Sequence, residues 1–219
     1  NAHFMSIFEN YPKETLYSLM NIIGTHDTMR IKTLLGGLSQ DCGTQKLSSG
    51  NEELATYRLK MLSFVQMTFV GVPCIYYGDE VGMQGGSDPF NRGTYPWRAI
   101  DPDLRQWYTD LGALRNNSDC LTLGYYKTVY ASGDLYIYAR FTKNGKNAFG
   151  NCCKNSLAIC AVNRSFESKH IDIDISEFGD FSFFSHGISN PEIVPVRDSI
   201  IEIDVAPVGC EFFISADKF

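Results

Sequence analysis

Residues 19–28 read LMNIIGTHDT, an apolar run that ends at Gly24 and gives way to polar residues. This run predicts a short buried strand over Leu19–Gly24. A second apolar run, Val72–Tyr77, has Pro73 near its start, where a strand tolerates proline. A helical pattern separates the two runs. The segment therefore predicts a strand–helix–strand unit with parallel strands, typical of an α/β layer.

Two longer helices are predicted in the same half of the chain. Ser49 and Glu52 have the spacing of a capping box and predict the start of the first helix. Asp101 and Pro102 predict the start of the second, as a cap followed by proline at the first helical position. The expected buried positions are Leu54, Tyr57, Met61, Phe64 and Val65 in the first helix and Leu104, Trp107, Tyr108 and Leu111 in the second.

The pattern changes after Cys120, where apolar and polar residues begin to alternate. Ser132-Gly133-Asp134 lies between two such runs and predicts a hairpin. About seven short strands with turns between them indicate an antiparallel β-sandwich. We therefore expect an α/β region at residues 1–117 and a sandwich at 118–219. The clearest predicted strands are Tyr125–Ala131, Leu135–Phe141, Leu157–Asn163, Ile171–Ile175, Ile201–Val205 and Cys210–Ser215.

Length, charge and hydropathy exclude several classes of protein. The chain has 219 residues with 25 acidic against 19 basic side chains, so it lacks the basic surface of a nucleic-acid binder. No apolar run approaches the roughly 20 residues of a membrane-spanning helix. We expect neither nucleic acid nor a membrane as partner. A complete (β/α)₈ barrel needs about 250 residues, so the chain cannot hold one together with a sandwich.

The cysteines favour a reducing compartment. There are seven, an odd number, with no C-x-x-C pair, and Cys152 and Cys153 are adjacent. This pattern suits neither a zinc site nor a simple disulfide framework. Free thiols in a cytoplasmic protein are the expected state, and the spacing of the histidines and acids predicts no metal site or cofactor.

Polar residues follow both predicted parallel strands. Ligands bind beyond the carboxyl ends of strands in α/β layers, which singles out His26 and Asp27 after the first strand. The pattern alone leaves two interpretations open. Either these groups point into a cleft, or Asp27 caps the next turn while His26 is packed and hydrogen-bonded. Asp79 and Glu80, after the second strand, are more typical of loop caps or arginine partners.

A glycine-rich loop follows the second strand over residues 82–92. It contains no lysine and no phosphate-binding motif, so a phosphate site is weakly indicated at most. Asp88 and Arg92 could either form an ion pair or hydrogen-bond a polar ligand. Aromatic residues around this loop would suit a sugar; these are Tyr76, Tyr77, Phe90, Tyr95 and Trp97.

Three segments resemble motifs of the alpha-amylase superfamily, glycoside hydrolase family thirteen. Residues 21–28, NIIGTHDT, resemble its fourth signature region, and residues 71–80, GVPCIYYGDE, resemble the motif on its last barrel strand. Residues 86–92, GSDPFNR, followed by Trp97, are similar to the next loop in the neopullulanase and cyclomaltodextrinase branch. The resemblance covers essentially the whole chain, because those enzymes also end in a β-sandwich.

The resemblance implies a fold and a function. Leu19–Gly24 and Val72–Tyr77 would be the seventh and eighth strands of a TIM (β/α)₈ barrel, followed by the sandwich. Asp27 matches the third catalytic carboxylate, which stabilises the oxocarbenium-like transition state, and His26 matches the histidine that binds the same sugar. Asp88 and Arg92 match positions that bind substrate toward the non-reducing end. The implied substrates are α-glucans or maltodextrins, cleaved with retention.

The family's nucleophile and acid/base patterns do not occur in these 219 residues. We therefore expect the chain alone to be inactive, with the rest of the barrel as its partner if it is encoded upstream. The segment Leu34–Gly50 is expected on the active-site side, where it would shape substrate access. The open edge of a two-stranded parallel sheet favours self-association. The alternative function is a non-catalytic module, either carbohydrate-binding or structural, built on the sandwich.

Overall fold

The computed structural model describes residues 2–216, so Asn1 and Asp217–Phe219, which the predicted domain boundaries include, lie outside it. The first half of the chain is mainly helical, with two short strands. In chain order its elements are α1 (Ala2–Asn10), α2 (Lys13–Ser18), β1 (Met20–Ile22), α3 (Ile31–Leu35), α4 (Ser49–Thr68), β2 (Val72–Cys74), α5 (Pro102–Asn116) and α6 (Asp119–Leu123).

The two strands β1 and β2 pair in parallel, with Asn21 opposite Pro73, and α4 connects them. The predicted strand–helix–strand unit is confirmed, but each strand has only three residues. The expectation that the first strand is buried is wrong for this chain, and the second strand is exposed as well. Met20 is 61% exposed and Ile22 and Val72 are each 47% exposed. Their apolar side chains face outward because no element among residues 2–216 covers them.

The start of α4 lies one residue earlier than the capping-box spacing predicted. The cap is Ser48, whose Oγ accepts a hydrogen bond from the backbone N–H of Asn51 at 3.4 Å. Ser49 is already the first helical residue. Glu52 accepts instead from the amide Nε2 of Gln84 at 2.9 Å. Glu52 therefore attaches the helix to the glycine-rich loop rather than closing a capping box.

The buried faces of the two long helices differ in how well the pattern predicted them. In α4, Phe64 is fully buried as expected, but Tyr57 is 52% exposed, so that part of the predicted apolar face is wrong. In α5 the prediction is confirmed. Asp101 Oδ1 accepts from the backbone N–H of Leu104 at 3.0 Å, and Leu104 and Leu111 have no exposed surface.

The second half of the chain is antiparallel β-structure. A six-stranded sheet has the order β3-β4-β5-β10-β7-β8, and β6 and β9 form a separate two-stranded sheet. The predicted hairpin is confirmed, with Gly133 in its turn at φ +57°. The strands are β3 (Tyr125–Ser132), β4 (Leu135–Phe141), β5 (Leu157–Asn163), β6 (Lys169–Asp174), β7 (Phe183–His186), β8 (Glu192–Pro195), β9 (Ile200–Val205) and β10 (Gly209–Ser215).

The six-stranded sheet is covered on both faces. One face, with Ile137 and Ile159, packs against Ile203 of β9 in one apolar cluster. The other face packs against the helices in a second cluster, where Phe212 meets Phe64 of α4 edge to face. All residues of β5 are buried. The outward residues of the small sheet are exposed; they are Asp172, Asp174, Glu202 and Asp204.

Two buried arginines attach the end of α4 to the rest of the molecule. Arg140 of β4 donates to the carbonyl of Thr68 at 2.8 Å, and Arg115 of α5 donates to the carbonyl of Met67 at 2.6 Å. Both cations lie where the helix dipole is negative, which compensates part of their burial. Burial and the nearby Arg140 lower the pKa of Arg115 to about 10. Together these contacts fix the point at which the chain enters β2.

All seven cysteines carry free thiols in the structure. Cys160 is fully buried, and that burial raises the pKa of its thiol to about 12, so the thiol stays protonated and inert. Among residues 2–216, no helix is both long enough and apolar enough to cross a lipid bilayer.

Candidate functional site

The segments that follow β1 and β2 lie side by side. The two strands are parallel, and Ile22 pairs with Cys74 where both end. Because the carboxyl ends of parallel strands meet at one edge, the loops beginning at residues 23 and 75 leave the sheet together. Loop side chains from distant parts of the sequence therefore meet there.

The structure brings together all four side chains that the resemblance singled out. The His26 Nε2 atom lies 3.2 Å from Asp27 Oδ1, and Arg92 Nη2 lies 3.9 Å from the same oxygen. The Arg92 Nε atom also pairs with Asp88 Oδ1 at 2.8 Å. The four groups form one continuous polar cluster, which we call the His26–Arg92 cluster (His26, Asp27, Asp88 and Arg92).

The cluster is open to solvent. The side chains of His26 and Asp27 are 64% and 72% exposed. His26 is therefore not the packed core histidine of the alternative interpretation. Asp88 and Arg92 do form the ion pair that was one of their two predicted states, and both remain about half exposed. Exposed ion pairs contribute little to stability, so these groups are free to exchange their partners for a polar ligand.

Asn91 holds the backbone that carries His26 and Asp27, and the sequence analysis did not identify it. Its side chain is fully buried, while its neighbour Arg92 is half exposed. The Asn91 Nδ2 atom donates to the carbonyls of His26 and Thr28 at 2.7 and 2.8 Å. Its position within the quoted motif was the only available signal, because neither partner is near it in the sequence.

A buried ion pair lies next to the same loop. Arg30 Nη1 and Asp79 Oδ1 are 3.3 Å apart, and both side chains are essentially inaccessible. The guanidinium of Arg30 also lies over the rings of Tyr76 and Tyr77, at 4.3 and 4.5 Å from their centres. Asp79 leaves no room at Gly24, where an added Cβ would be 2.4 Å from Asp79 Oδ2. This pair joins the loop after β1 to the loop after β2.

Burial dominates the electrostatics of Asp79. It raises the pKa of this carboxyl to about 6, although Arg30 acts in the opposite direction. The adjacent Glu80 accepts a hydrogen bond from the backbone N–H of Gly78 at 2.7 Å. The two acids therefore behave as predicted for Asp79-Glu80, one as an arginine partner and one as a loop cap.

The glycine-rich loop is not a phosphate cradle. Three consecutive backbone N–H groups of the loop are already used within the protein: Gly85 donates to Thr33 Oγ1, Gly86 to the carbonyl of Gly43 and Ser87 to the carbonyl of Gln40, at 2.9–3.0 Å. The last two contacts place the segment Leu34–Gly50 directly against the loop that carries Asp88. Among residues 2–216, no group of three or more His, Cys, Asp or Glu side chains is arranged to hold a metal ion.

A separate cavity lies away from the cluster. It has a volume of about 810 Å³ and is bounded by α4 and the turn of the β3–β4 hairpin. Two of its charged side chains are already paired, Arg164 with Asp134 at 3.0 Å. A third, Arg58, donates to the carbonyl of Leu35 at 2.7 Å. The His26–Arg92 cluster is thus an open surface site rather than a cavity, and we favour it because its polar groups converge.

Comparison with known proteins agrees with the motifs. Residues 2–124 match the family model of the alpha-amylase catalytic domain. An amylopullulanase of Thermoanaerobacterium thermosulfurigenes is 40% identical over 218 residues, which is 99% of this chain and 12% of that protein. A cyclomaltodextrinase of Geobacillus thermopakistaniensis (strain MAS1) is 30% identical over 80% of this chain and 26% of its own length.

The solved structures agree as well. An Anoxybacillus alpha-amylase superposes with a TM-score of 0.75 at 21% identity, over 99% of this chain and 41% of that one. This similarity shows a shared fold. The chain spans about an eighth of the amylopullulanase and about a quarter of the cyclomaltodextrinase that it matches.

Proposed function

The chain belongs to the alpha-amylase family, and from that premise we propose that it is the C-terminal part of the catalytic region of a longer, retaining glycoside hydrolase that acts on α-glucans or maltodextrins. The observation that carries this proposal is the convergence of His26, Asp27, Asp88 and Arg92 in one open cluster beyond two parallel strands. The names of the relatives, which refer to pullulan and cyclomaltodextrins, support the substrate class.

The proposed architecture follows from the same premise. The strands β1 and β2 are the seventh and eighth strands of a (β/α)₈ barrel, and residues 118–219 are the sandwich that follows it. The exposed apolar side chains of Met20, Ile22 and Val72 support this, because the preceding barrel strands would cover them. In the chain alone the same surface favours self-association.

In the proposed mechanism Asp27 acts on charge that develops in the transition state. Glycoside cleavage passes through an oxocarbenium-like state, and a fixed carboxylate beside the sugar ring stabilises its positive charge. The Asp27 carboxylate also accepts hydrogen bonds from sugar hydroxyls. The His26 Nε2 atom lies 3.2 Å from Asp27 Oδ1, and the His26 ring makes a further hydrogen bond with the same sugar. Arg92, whose Nη2 lies 3.9 Å from Asp27 Oδ1, helps to orient the carboxylate.

Asp88 and Arg92 bind the sugar ring farther from the cleaved bond. Their ion pair is exposed and weak, so each group can exchange it for hydrogen bonds to the sugar. The segment Leu34–Gly50, bonded to the same loop through Gly43 and Gln40, forms one wall of the approach to the site. We also propose that the protein is cytoplasmic and that its cysteine thiols are reduced.

The chain does not contain the whole machinery. A retaining enzyme needs a nucleophilic carboxylate and a second carboxyl that donates a proton to the leaving oxygen. The family's patterns for both are absent from these 219 residues, so residues encoded upstream supply them. The alternative, a non-catalytic module built on the sandwich, is less favoured, because the match to the catalytic-domain model covers residues 2–124 rather than the sandwich.

The experiment compares two samples, residues 1–219 alone and the protein as its gene encodes it. Both are incubated with maltodextrin, and the release of reducing ends is measured. We expect release only from the encoded protein. Release from residues 1–219 alone would show that the catalytic carboxylates lie within the chain. No release from either sample, with pullulan and cyclomaltodextrin also tried, would contradict the proposed function.

A further inference from the structure

Asn91 is a buried polar residue between two charged residues that are exposed. It lies in the short turn Phe90–Arg92, and its side chain has no accessible surface. Asp88 and Arg92 on either side of it are about half exposed. The loop thus presents charged groups outward and turns one amide inward, toward the segment that carries Asp27.

The contacts of this amide fix its orientation. Both of its partners, at 2.7 and 2.8 Å, are backbone carbonyl oxygens, which only accept hydrogen bonds. The atom that faces them must therefore be the NH₂ group, with each of its hydrogens directed to one carbonyl. The two carbonyls belong to His26 and Thr28, the residues immediately before and after Asp27.

The other contacts that hold this segment are longer. The backbone N–H of Asp27 donates to Thr25 Oγ1 at 3.1 Å, and the N–H of Thr28 donates to the carbonyl of Thr25 at 3.4 Å. Arg92 Nε adds a contact to the carbonyl of His26 at 3.2 Å. Apart from that contact, these bonds are local and exposed, whereas Asn91 reaches the segment from 63 and 65 residues away and is buried. Its two bonds are the main tertiary restraint on the backbone of Asp27.

We propose that Asn91 is a positioning residue, whose amide holds the carbonyl groups of the residues before and after Asp27 so that the carboxylate stands at a fixed place in the site. This inference rests on the proposed function, in which Asp27 stabilises the transition state. Charge stabilisation of that kind depends on a donor or acceptor that is in place before the reaction. A shift of about 1 Å in a catalytic group costs about 100-fold in rate.

The test uses Asn91→Asp in the protein as its gene encodes it. Aspartate has the same size, but it replaces the NH₂ group with an oxygen that faces two carbonyl oxygens. We expect kcat on maltodextrin to fall about 100-fold. Amide hydrogen exchange at residues 25–28 should rise in the same variant, because the restraint on that backbone is lost.

The chain offers a matched control in the sandwich. Asn163 is also fully buried, and its Nδ2 donates to the carbonyls of Glu167, Ala206 and Val205 at 2.8, 3.0 and 3.2 Å. Asn163→Asp removes the same kind of donor far from Asp27. It should lower the melting temperature while kcat and the exchange of residues 25–28 stay unchanged.

If Asn91→Asp does not fold, Asn91→Ser removes the amide without placing an oxygen pair against the two carbonyls. Its kcat and its amide exchange at residues 25–28 are then measured in the same way. An unchanged kcat, or unchanged exchange at residues 25–28, in a folded Asn91 variant would overturn the proposal. An equal fall in kcat for Asn163→Asp would do the same, since the effect would then be general destabilisation. If the unsubstituted protein cleaves no α-glucan, the proposed function fails, and the positioning role, which rests on it, falls with it. Exchange at residues 25–28 then shows only whether Asn91 restrains that backbone.

Discussion

The strands β5 and β1 are both short apolar runs, but β5 is buried and β1 is largely exposed. Every residue of β5 is buried, with helices on one side of its sheet and β9 on the other. In β1, Met20 and Ile22 are 61% and 47% exposed. The difference lies in what covers each strand, because burial depends on the neighbouring elements as much as on the strand's own residues.

This contrast distinguishes the antiparallel region, which forms most of the core, from the parallel region, which carries the candidate site. The six-stranded antiparallel sheet is covered on both faces by other elements of the chain. The parallel pair β1 and β2 carries the His26–Arg92 cluster, yet one of its faces has no cover among residues 2–216. The candidate site therefore lies on the strand pair whose apolar side chains are exposed, and not on the sheet that is covered on both faces.

The largest effect on stability is expected when the same change, isoleucine to alanine, is made in each of the two regions. Ile159→Ala in β5 removes a fully buried side chain and should cost about 2–5 kcal/mol of unfolding free energy. Ile22→Ala in β1 should cost less than about 1 kcal/mol, because that side chain is 47% exposed. Urea denaturation of residues 1–219 measures both values.

The same pair of variants tests whether β1 is covered in the longer protein. There the cost of Ile22→Ala should rise toward that of Ile159→Ala, since the preceding strands would bury Ile22. An equally small cost for Ile22→Ala in the chain and in the encoded protein would contradict the proposed barrel.

The second effect concerns pH and belongs to the parallel region. Burial raises the pKa of Asp79 to about 6, from an ordinary value of 3.8. The folded state therefore holds this proton more tightly than the unfolded state does. The protonated Asp79 carboxyl therefore adds to the unfolding free energy below about pH 4. This contribution is lost as the pH rises through 6, a change on the order of 3 kcal/mol.

Asp79→Asn should remove this dependence, because asparagine stays neutral at every pH. The difference in unfolding free energy between Asp79→Asn and the unsubstituted chain should shift in favour of the variant between pH 4 and pH 7. A difference that stays constant over this range would show that the carboxyl ionises equally in both states.

The smallest effect is expected at the start of α4. Ser48→Ala should cost about 1 kcal/mol, because it removes the oxygen that accepts from the backbone N–H of Asn51. Ser49→Ala should cost less, since Ser49 lies inside the helix. Thermal unfolding of the two variants decides between the observed cap and the one that the capping-box spacing predicted.

The features that the sequence predicts well are local ones. Asp101 caps α5, Gly133 turns the hairpin, and β5 lies within its predicted bounds, because each depends on residues close together in the chain. The strands β7 and β8 were not predicted. The first reads FFSH, which does not alternate, and the second ends in Pro195.

The site was predicted only in part, for the same reason. The resemblance picked out four side chains, and the structure brings them together; their roles stay predictions. Asn91 was not identified, and an arginine partner was predicted for Asp79 without showing that it would be Arg30, because these partners lie tens of residues away in the sequence. The exposure of β1 was not predicted either, because an apolar run indicates a strand but does not show which element covers it.

The proposed role of Asp27 can be measured directly in the protein as its gene encodes it. Asp27→Asn keeps the shape of the side chain and removes its charge, so we expect kcat on maltodextrin to fall about 1,000-fold while KM changes little. Asp88→Asn, a control in the same cluster, should mainly raise KM. A near-normal kcat for Asp27→Asn, in a protein that cleaves maltodextrin, would contradict the proposal that this chain supplies the carboxylate that stabilises the transition state.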